Sequence, residues 1–122
     1  MDTYSKEEVE KALQMITSTI EKCEKIQVKF KEGTSQHTLL VNRIKALYIS
    51  KALIMCDNKV DEYSLTEFRD SLAPISSIIS KSEKAQEKSK EGATSHTRLK
   101  NLISAMNVSK TLIENEISKR EA

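Results

Sequence analysis

The sequence has very little of what interrupts a helix or crosslinks a chain. Among its 122 residues there are two Gly, one Pro, two Cys and no Trp. With only two glycines, the chain cannot form the Gly-rich loops that bind phosphate groups in nucleotide-binding proteins. Two cysteines without a CxxC pair exclude a disulfide framework and give no metal-ligand spacing, so we expect Cys23 and Cys56 to be reduced thiols. Because breakers are scarce and Ala, Leu, Ile, Lys and Glu dominate, the composition indicates a helical protein.

Other absences bear on location and activity. No apolar run approaches the roughly 20 residues of a membrane span, and the first residues lack the parts of a signal peptide. We therefore expect a soluble cytoplasmic protein with no membrane contact. The net charge of +2 is too small to indicate nucleic-acid binding by itself. No nucleophile motif is present, so the prediction is a non-enzymatic protein without a cofactor or a metal.

What is present is a repeat. Lys31–Leu40 reads KEGTSQHTLL and Lys90–Leu99 reads KEGATSHTRL. Shifting the chain by 59 positions aligns residues 4–58 with residues 63–117 without a gap, and 25 of the 55 pairs are identical. A match of this density predicts a tandem duplication inside a single domain of residues 1–122, with one supersecondary unit per repeat.

Each unit reads as a helical hairpin. Ser5-x-x-Glu8 and Ser64-x-x-Glu67 are capping boxes, preceded by a Tyr that packs against the residue four positions into the helix. Gly33 and Gly92 are expected to end the first helix of each unit, with Ser35 and Thr94 capping the second. Two such hairpins predict an all-α fold, an up-down-up-down four-helix bundle made of two tandemly duplicated helical hairpins.

Apolar spacing assigns the core of this bundle. In the first helix Val9, Leu13, Ile16, Ile20, Cys23 and Phe30 share one face, and in the second Leu40, Ile44, Leu47 and Ile54 do. Pro74 stands well inside the third helix, where proline removes a donor and clashes with the preceding turn. A kink or break is therefore expected between Arg69 and Ala73.

Two pairs of polar residues are identical in the repeats. His37 and His96 stand in the first turns of their helices, at the same end of the predicted bundle. A metal or acid–base role would need converging carboxylates, so we assign them a structural role. Gln27 and Gln86 interrupt the apolar faces, and we interpret them as register-setting residues rather than the lining of a polar cavity. Their expected partners are Asn42 and Asn101, or each other.

Lysines form an outward ridge in each repeat. The ridges consist of Lys22, Lys25 and Lys29, and of Lys81, Lys84 and Lys88. Interleaved glutamates and missing aromatics favour a solvated helix face. The alternative function is weak anion or nucleic-acid binding through these ridges.

The two halves differ on one helix face. On the second helix Val41, Tyr48, Ala52 and Met55 are expected to point away from the core, whereas the equivalent residues of the fourth helix are Lys100, Asn107, Thr111 and Glu114. On the first helix, Val28 differs in the same way from its equivalent Glu87. An exposed apolar stripe usually marks a contact surface. The sequence therefore predicts a protein–protein interface centred on Tyr48, either in a homodimer or with another protein. The alternative is an asymmetric bundle that buries this face.

Overall fold

Four α-helices and one short 3-10 helix make up the part of the protein that the structure describes. A computed structural model describes residues 4–122, and within this range there is no β-strand, as the all-α prediction requires. No helix in the described range is both long enough and apolar enough to cross a bilayer. The elements are α1 (Lys6–Gln27), α2 (Ser35–Ile54), the 3-10 linker helix (Asn58–Glu62), α3 (Leu65–Lys88) and α4 (Thr94–Glu121).

The predicted capping boxes start α1 and α3. The Glu8 amide donates to Ser5 Oγ and the Ser5 amide donates to Glu8 Oε1, both at 3.1 Å. Ser64 and Glu67 make the same two bonds at 3.1 and 2.8 Å. Two backbone donors that a helix start leaves free are thus satisfied in each hairpin.

The starts of α2 and α4 lie one residue earlier than predicted. Thr34, not Ser35, caps α2, and its hydroxyl accepts from the His37 amide at 3.3 Å. The equivalent cap of α4 is Ala93, which has no side-chain acceptor, and Thr94 is already helical. In the first hairpin two hydroxyl residues stand side by side and the first of them is the cap, whereas α4 in the second hairpin starts at the equivalent place without a side-chain acceptor.

The helices also end before the glycines that were expected to end them. Helix α1 stops at Gln27 and α3 at Lys88, so a short turn precedes each glycine. Gly33 and Gly92 do adopt left-handed backbone, with φ of 92° and 88°. They redirect the turn into the next helix, a conformation that a Cβ would oppose.

The end of α2 uses a residue that does not favour its conformation. Cys56 has φ of 52°. Its amide donates to the Leu53 carbonyl at 3.2 Å, and the Asp57 amide donates to the Ala52 carbonyl at 3.0 Å. This pair of bonds is a Schellman motif, in which glycine normally occupies the left-handed position.

Helix α3 runs through Pro74 without interruption, so no break occurs between Arg69 and Ala73. Proline removes one hydrogen bond to the carbonyl four residues earlier. Ser71 and Ile75, on either side of it, are buried. Core packing therefore holds both halves of α3 in one helix.

The core is drawn from all four helices and from equivalent positions of the repeats. Each of α1 and α3 contacts both α2 and α4, α2 also contacts α4, and the contact between α3 and α4 is the most extensive. Phe30, predicted to be in the core, is instead exposed, because α1 has ended before it. The fully buried side chains are Ile16, Leu47, Ile49, Ser50, Phe68, Ile75, Met106, Ser109 and Ile113.

Arg120 fastens the linker helix to α4. Its guanidinium donates to the Val60 carbonyl at 2.7 Å and to the Tyr63 carbonyl, and it lies 4.6 Å from the centre of the Phe68 ring. Glu116, one turn earlier, accepts from Arg120 Nε at 2.9 Å. The Phe68 ring also meets Tyr63 edge-on at 6.0 Å, the apolar contact predicted to precede α3.

Candidate functional site

The large apolar side chains exposed on the described part of the chain all belong to residues 26–55, in the first hairpin. Three lie along α2 and match the sequence prediction: Val41, Tyr48 and Met55 are 39, 40 and 54% exposed. These three residues are called the apolar stripe below. The remaining exposed residues with large apolar side chains are Ile26, Val28, Phe30 and Leu39.

The second hairpin has polar or small residues at every equivalent position. Lys100, Asn107 and Glu114 replace the apolar stripe. The other four equivalents are Ala85, Glu87, Ser89 and Arg98. Since the two hairpins share the same core positions, the difference is confined to the surface of the first one.

Tyr48 is held at the edge of α1. Its hydroxyl donates to Glu24 Oε2 at 3.1 Å, and this bond, followed by burial, raises the pKa of Tyr48 above its usual value. The ring stays partly accessible while its polar tip is fixed. Such a side chain loses little further freedom when a partner covers the ring.

Ala52 does not belong to the exposed surface. It is only 7% exposed, so the expectation that it points to solvent is wrong. The linker helix contacts α2, and the linker begins at Asp57, whose amide bonds to the Ala52 carbonyl. A methyl side chain beside this contact is too short to reach solvent.

The exposure of three further apolar residues, Ile26, Phe30 and Leu39, was not predicted from the sequence. Comparison of the repeats would have found them, because their equivalents are Ala85, Ser89 and Arg98. It was applied only to the outer face of α2, with Val28 as a supporting hint. Leu39 is on a different side of α2, where it lines a groove against α3.

The Gln and the His that are identical in the two repeats contact each other within each hairpin. Gln27 Nε2 lies 3.5 Å from His37 Nε2, and Gln86 Nε2 lies 3.5 Å from His96 Nε2. The predicted partners, Asn42 and Asn101, are exposed and do not make these bonds. The two glutamines therefore join the ends of adjacent helices across the turn, which supports a structural role for both histidines.

In the second hairpin a serine extends this contact. Ser89 Oγ donates to the Gln86 carbonyl at 2.8 Å and lies 2.8 Å from His96 Nδ1. Because that hydroxyl hydrogen is used, Nδ1 must carry the proton and donate to Ser89, leaving Nε2 to accept from the Gln86 amide. Both ring nitrogens of His96 thus have a polar partner within the hairpin. Phe30 replaces Ser89 in the first hairpin.

All six ridge lysines are exposed, and none of them forms an ion pair within the described range. Lys29 lies in the turn beyond the end of α1, so the first ridge is not one continuous helical row. Lys88 remains the last residue of α3. Free ammonium groups at both turns are available to anions or to solvent.

Two grooves occupy equivalent places in the repeats. One, of about 750 Å³, lies between α1 and α4, and the other, of about 560 Å³, lies between α2 and α3. Ten lining positions of the first groove correspond to lining positions of the second at the same shift of 59. The Lys45–Glu67 ion pair, at 2.7 Å, is present only in the second groove.

The chemistry of the grooves is limited. The bond from Lys45, with the capping bond from Ser64, lowers the pKa of Glu67. Nowhere in residues 4–122 do three or more His, Cys, Asp or Glu side chains converge to hold a metal ion. The second groove therefore holds a paired carboxylate and ammonium group, at a place where the first groove has Glu8 and Ser104.

Arg43 is the least satisfied polar side chain of the described residues. Its Nε and Nη2 atoms are buried and have no hydrogen-bond partner. It lies near Cys23, whose pKa is raised by burial and partly lowered again by the Arg43 charge. The equivalent of Arg43 in the second hairpin is Leu102.

Comparison of the chain with protein-family models, with curated proteins and with solved structures finds no match.

Proposed function

We propose that the chain is a non-enzymatic, cytoplasmic protein that acts through protein–protein contact, by self-association through the outer face of α2. One observation carries this proposal: the exposed large apolar side chains are confined to the first hairpin, and each is polar or small in the second. Packing constraints common to both hairpins do not account for such a difference. A contact surface that a partner covers on the first hairpin accounts for the difference.

A tandem duplication and an up-down-up-down arrangement are part of the proposal, because the argument compares equivalent positions. Three local features occur in both hairpins: the capping box, the glycine with left-handed backbone and the Gln–His contact. Ser50 and Ser109 also donate to equivalent alanine carbonyls, at 2.9 and 3.1 Å. Helix contacts that run from α1 through α2 and α3 to α4 and back to α1 favour the antiparallel order.

The proposed interface consists of Val41, Tyr48 and Met55, without Ala52. Tyr48 is its centre, because an aromatic ring buries a large area and its hydroxyl already has a partner in Glu24. The stripe is narrow compared with the roughly 800 Å² per subunit that stable complexes bury. We therefore expect a weak dimer that forms at high protein concentration.

The test replaces the stripe with the residues of the fourth helix, as Val41→Lys, Tyr48→Asn and Met55→Glu. The variant should fold with unchanged helix content, because those residues are tolerated on α4. It should sediment as a monomer at concentrations where the unaltered chain is a dimer.

The matched control changes the equivalent positions of α4, as Lys100→Gln, Asn107→Ser and Glu114→Gln, and should remain dimeric. If the unaltered chain is monomeric at all concentrations, self-association is refuted. Loss of folding in the stripe variant would mean that these residues support the core.

The alternative function is weak anion or nucleic-acid binding through the ridge lysines, and their lack of ion pairs favours it. Binding of this kind weakens steeply as salt is raised, whereas apolar association does not. A chain that elutes from heparin at the salt expected for its net charge alone, with no change after Lys22→Glu, Lys25→Glu and Lys29→Glu, would exclude it.

A further inference from the structure

We propose that two copies of the chain pack α2 against α2 in antiparallel orientation, with Tyr48 of each copy at the two-fold axis. This inference rests on the self-association proposed above and specifies its geometry. The occupant of the apolar stripe is then a second copy of the same stripe. The axis runs perpendicular to α2 and lies between the two helices.

The spacing of the stripe fits this symmetry. Val41 and Met55 are each seven residues from Tyr48, which is about 10.5 Å along a helix, on nearly the same face. Rotation about an axis at Tyr48 therefore places Val41 against the partner's Met55, and Met55 against the partner's Val41. The two Tyr48 rings meet at the centre, and every residue of the stripe is covered.

A parallel pair would also cover the stripe, so charge decides between the two orientations. Beyond Met55 the chain enters residues 57–62, which hold three acidic residues and one lysine, a net charge of −2. Beside Val41 lies the turn between α1 and α2, and residues 22–32 hold four lysines and two glutamates, a net charge of +2. The stripe thus has an acidic end and a basic end.

The antiparallel pair places each acidic end next to the partner's basic end. The parallel pair places like charges together at both ends. The charged residues of the two segments are mainly exposed, and charges within about 10 Å of one another are not fully screened at ordinary ionic strength. Opposite charges steer association toward the antiparallel orientation and disfavour the other one.

Two charged groups near the centre of the stripe are bonded within the chain. Helix α2 contains no acidic residue, but Lys45 is paired with Glu67 of α3. On the other side of the stripe the Glu24 carboxylate is held at the Tyr48 hydroxyl. Anionic groups from the neighbouring helices therefore flank the stripe at its centre.

Cys56, which is exposed, reports the orientation. It lies eight residues beyond Tyr48, so in the antiparallel dimer the two Cys56 thiols are about 24 Å apart along the helix direction. In a parallel dimer they are adjacent. The other cysteine, Cys23, is buried. For the experiment it is changed by Cys23→Ser, which copies the equivalent Ser82 and leaves Cys56 as the single thiol.

The experiment treats this single-thiol chain with a short bismaleimide at a concentration where sedimentation shows a dimer. No covalent dimer is expected. Adding Val41→Cys should produce covalent dimers in high yield, because the thiol introduced at position 41 faces the partner's Met55 and lies next to its Cys56. In the matched control, Val41→Cys with Cys56→Ser, that yield should be lost, because the two thiols at position 41 are again far apart.

Each outcome separates the two proposals. A Cys56–Cys56 crosslink in the single-thiol chain, or a crosslinked control, would overturn the antiparallel orientation while leaving self-association in place. A dimer that is crosslinked in no variant would show that α2 is not the interface. A monomer at every concentration would refute the proposed function itself, and the orientation with it.

Discussion

Arg43 is a residue at which the first hairpin buries polar atoms and the second hairpin does not. Two guanidinium nitrogens are buried without partners, where the second hairpin has Leu102. A buried polar group without a hydrogen bond costs about 1–3 kcal/mol. We predict that Arg43→Leu raises the free energy of unfolding by about 1–2 kcal/mol, in the lower part of that range because Arg43 is only half-buried. Urea denaturation measures the change.

The reciprocal change, Leu102→Arg, is the control for Arg43 and should lower the free energy of unfolding. Both substitutions move one guanidinium into or out of equivalent places in the fold. A stability lost on Arg43→Leu would mean that the guanidinium is bonded in solution.

Cys56 is a second residue whose replacement should be stabilising. A left-handed conformation costs a non-glycine residue about 1–2 kcal/mol, and glycine avoids this while losing more chain entropy on folding. We predict that Cys56→Gly raises the free energy of unfolding by about 0.5–1 kcal/mol. Thermal unfolding of Gly33→Ala, which makes the opposite change, should show a lower melting temperature.

At the scale of single helices, α4 lacks the cap that α2 has. A Thr at the cap position stabilises a helix by about 1 kcal/mol relative to Ala. We predict that Ala93→Thr stabilises the protein by about this amount and that Thr34→Ala destabilises it similarly. Hydrogen exchange should show the change first in the amides of the affected helix. Equal exchange in all four helices would contradict a local capping effect.

Arg120 connects three elements, and its loss should be more costly than that of a surface arginine. It bonds two carbonyls of the linker region, pairs with Glu116 and covers the Phe68 ring. We predict that Arg120→Ala lowers the free energy of unfolding by about 2–4 kcal/mol, because partly buried carbonyls lose their donors. Chemical denaturation provides the measurement.

Arg69 is the matched control for Arg120. Its ion pair with Glu121, at 2.8 Å, is half-exposed on both sides. Exposed ion pairs contribute about 0–1 kcal/mol, so Arg69→Ala should lower the free energy of unfolding by no more than about 1 kcal/mol. Equal effects of the two substitutions would show that the linker contacts do not stabilise the fold.

At the scale of the whole molecule, the features that sequence predicted are those set by neighbouring residues. The capping boxes at Ser5 and Ser64 were predicted correctly, because each depends on a few adjacent positions. The exposure of Val41, Tyr48 and Met55 followed from helical periodicity. The function drawn from that exposure stays a prediction.

The features that sequence missed depend on contacts between elements. Ala52 shares the periodicity of the exposed stripe but lies where the linker helix packs against α2. Phe30 continues the apolar face of α1 beyond the point where that helix ends. The Gln27–His37 contact crosses a turn whose path no spacing rule supplies. Pro74 was expected to kink or break α3; the helix is not broken there, because one lost hydrogen bond is small beside the packing of Ser71 and Ile75.

The uneven packing of the two hairpins has a consequence during synthesis. The second hairpin has the more extensive helix–helix contact, and it leaves the ribosome after the first. At about 5–20 residues per second, the first hairpin waits roughly 3–12 s for the 59 residues that complete the core. Throughout that interval its inner face and its exposed apolar residues are both open to water. The first hairpin on its own therefore exposes more apolar surface to water than it does in the folded chain.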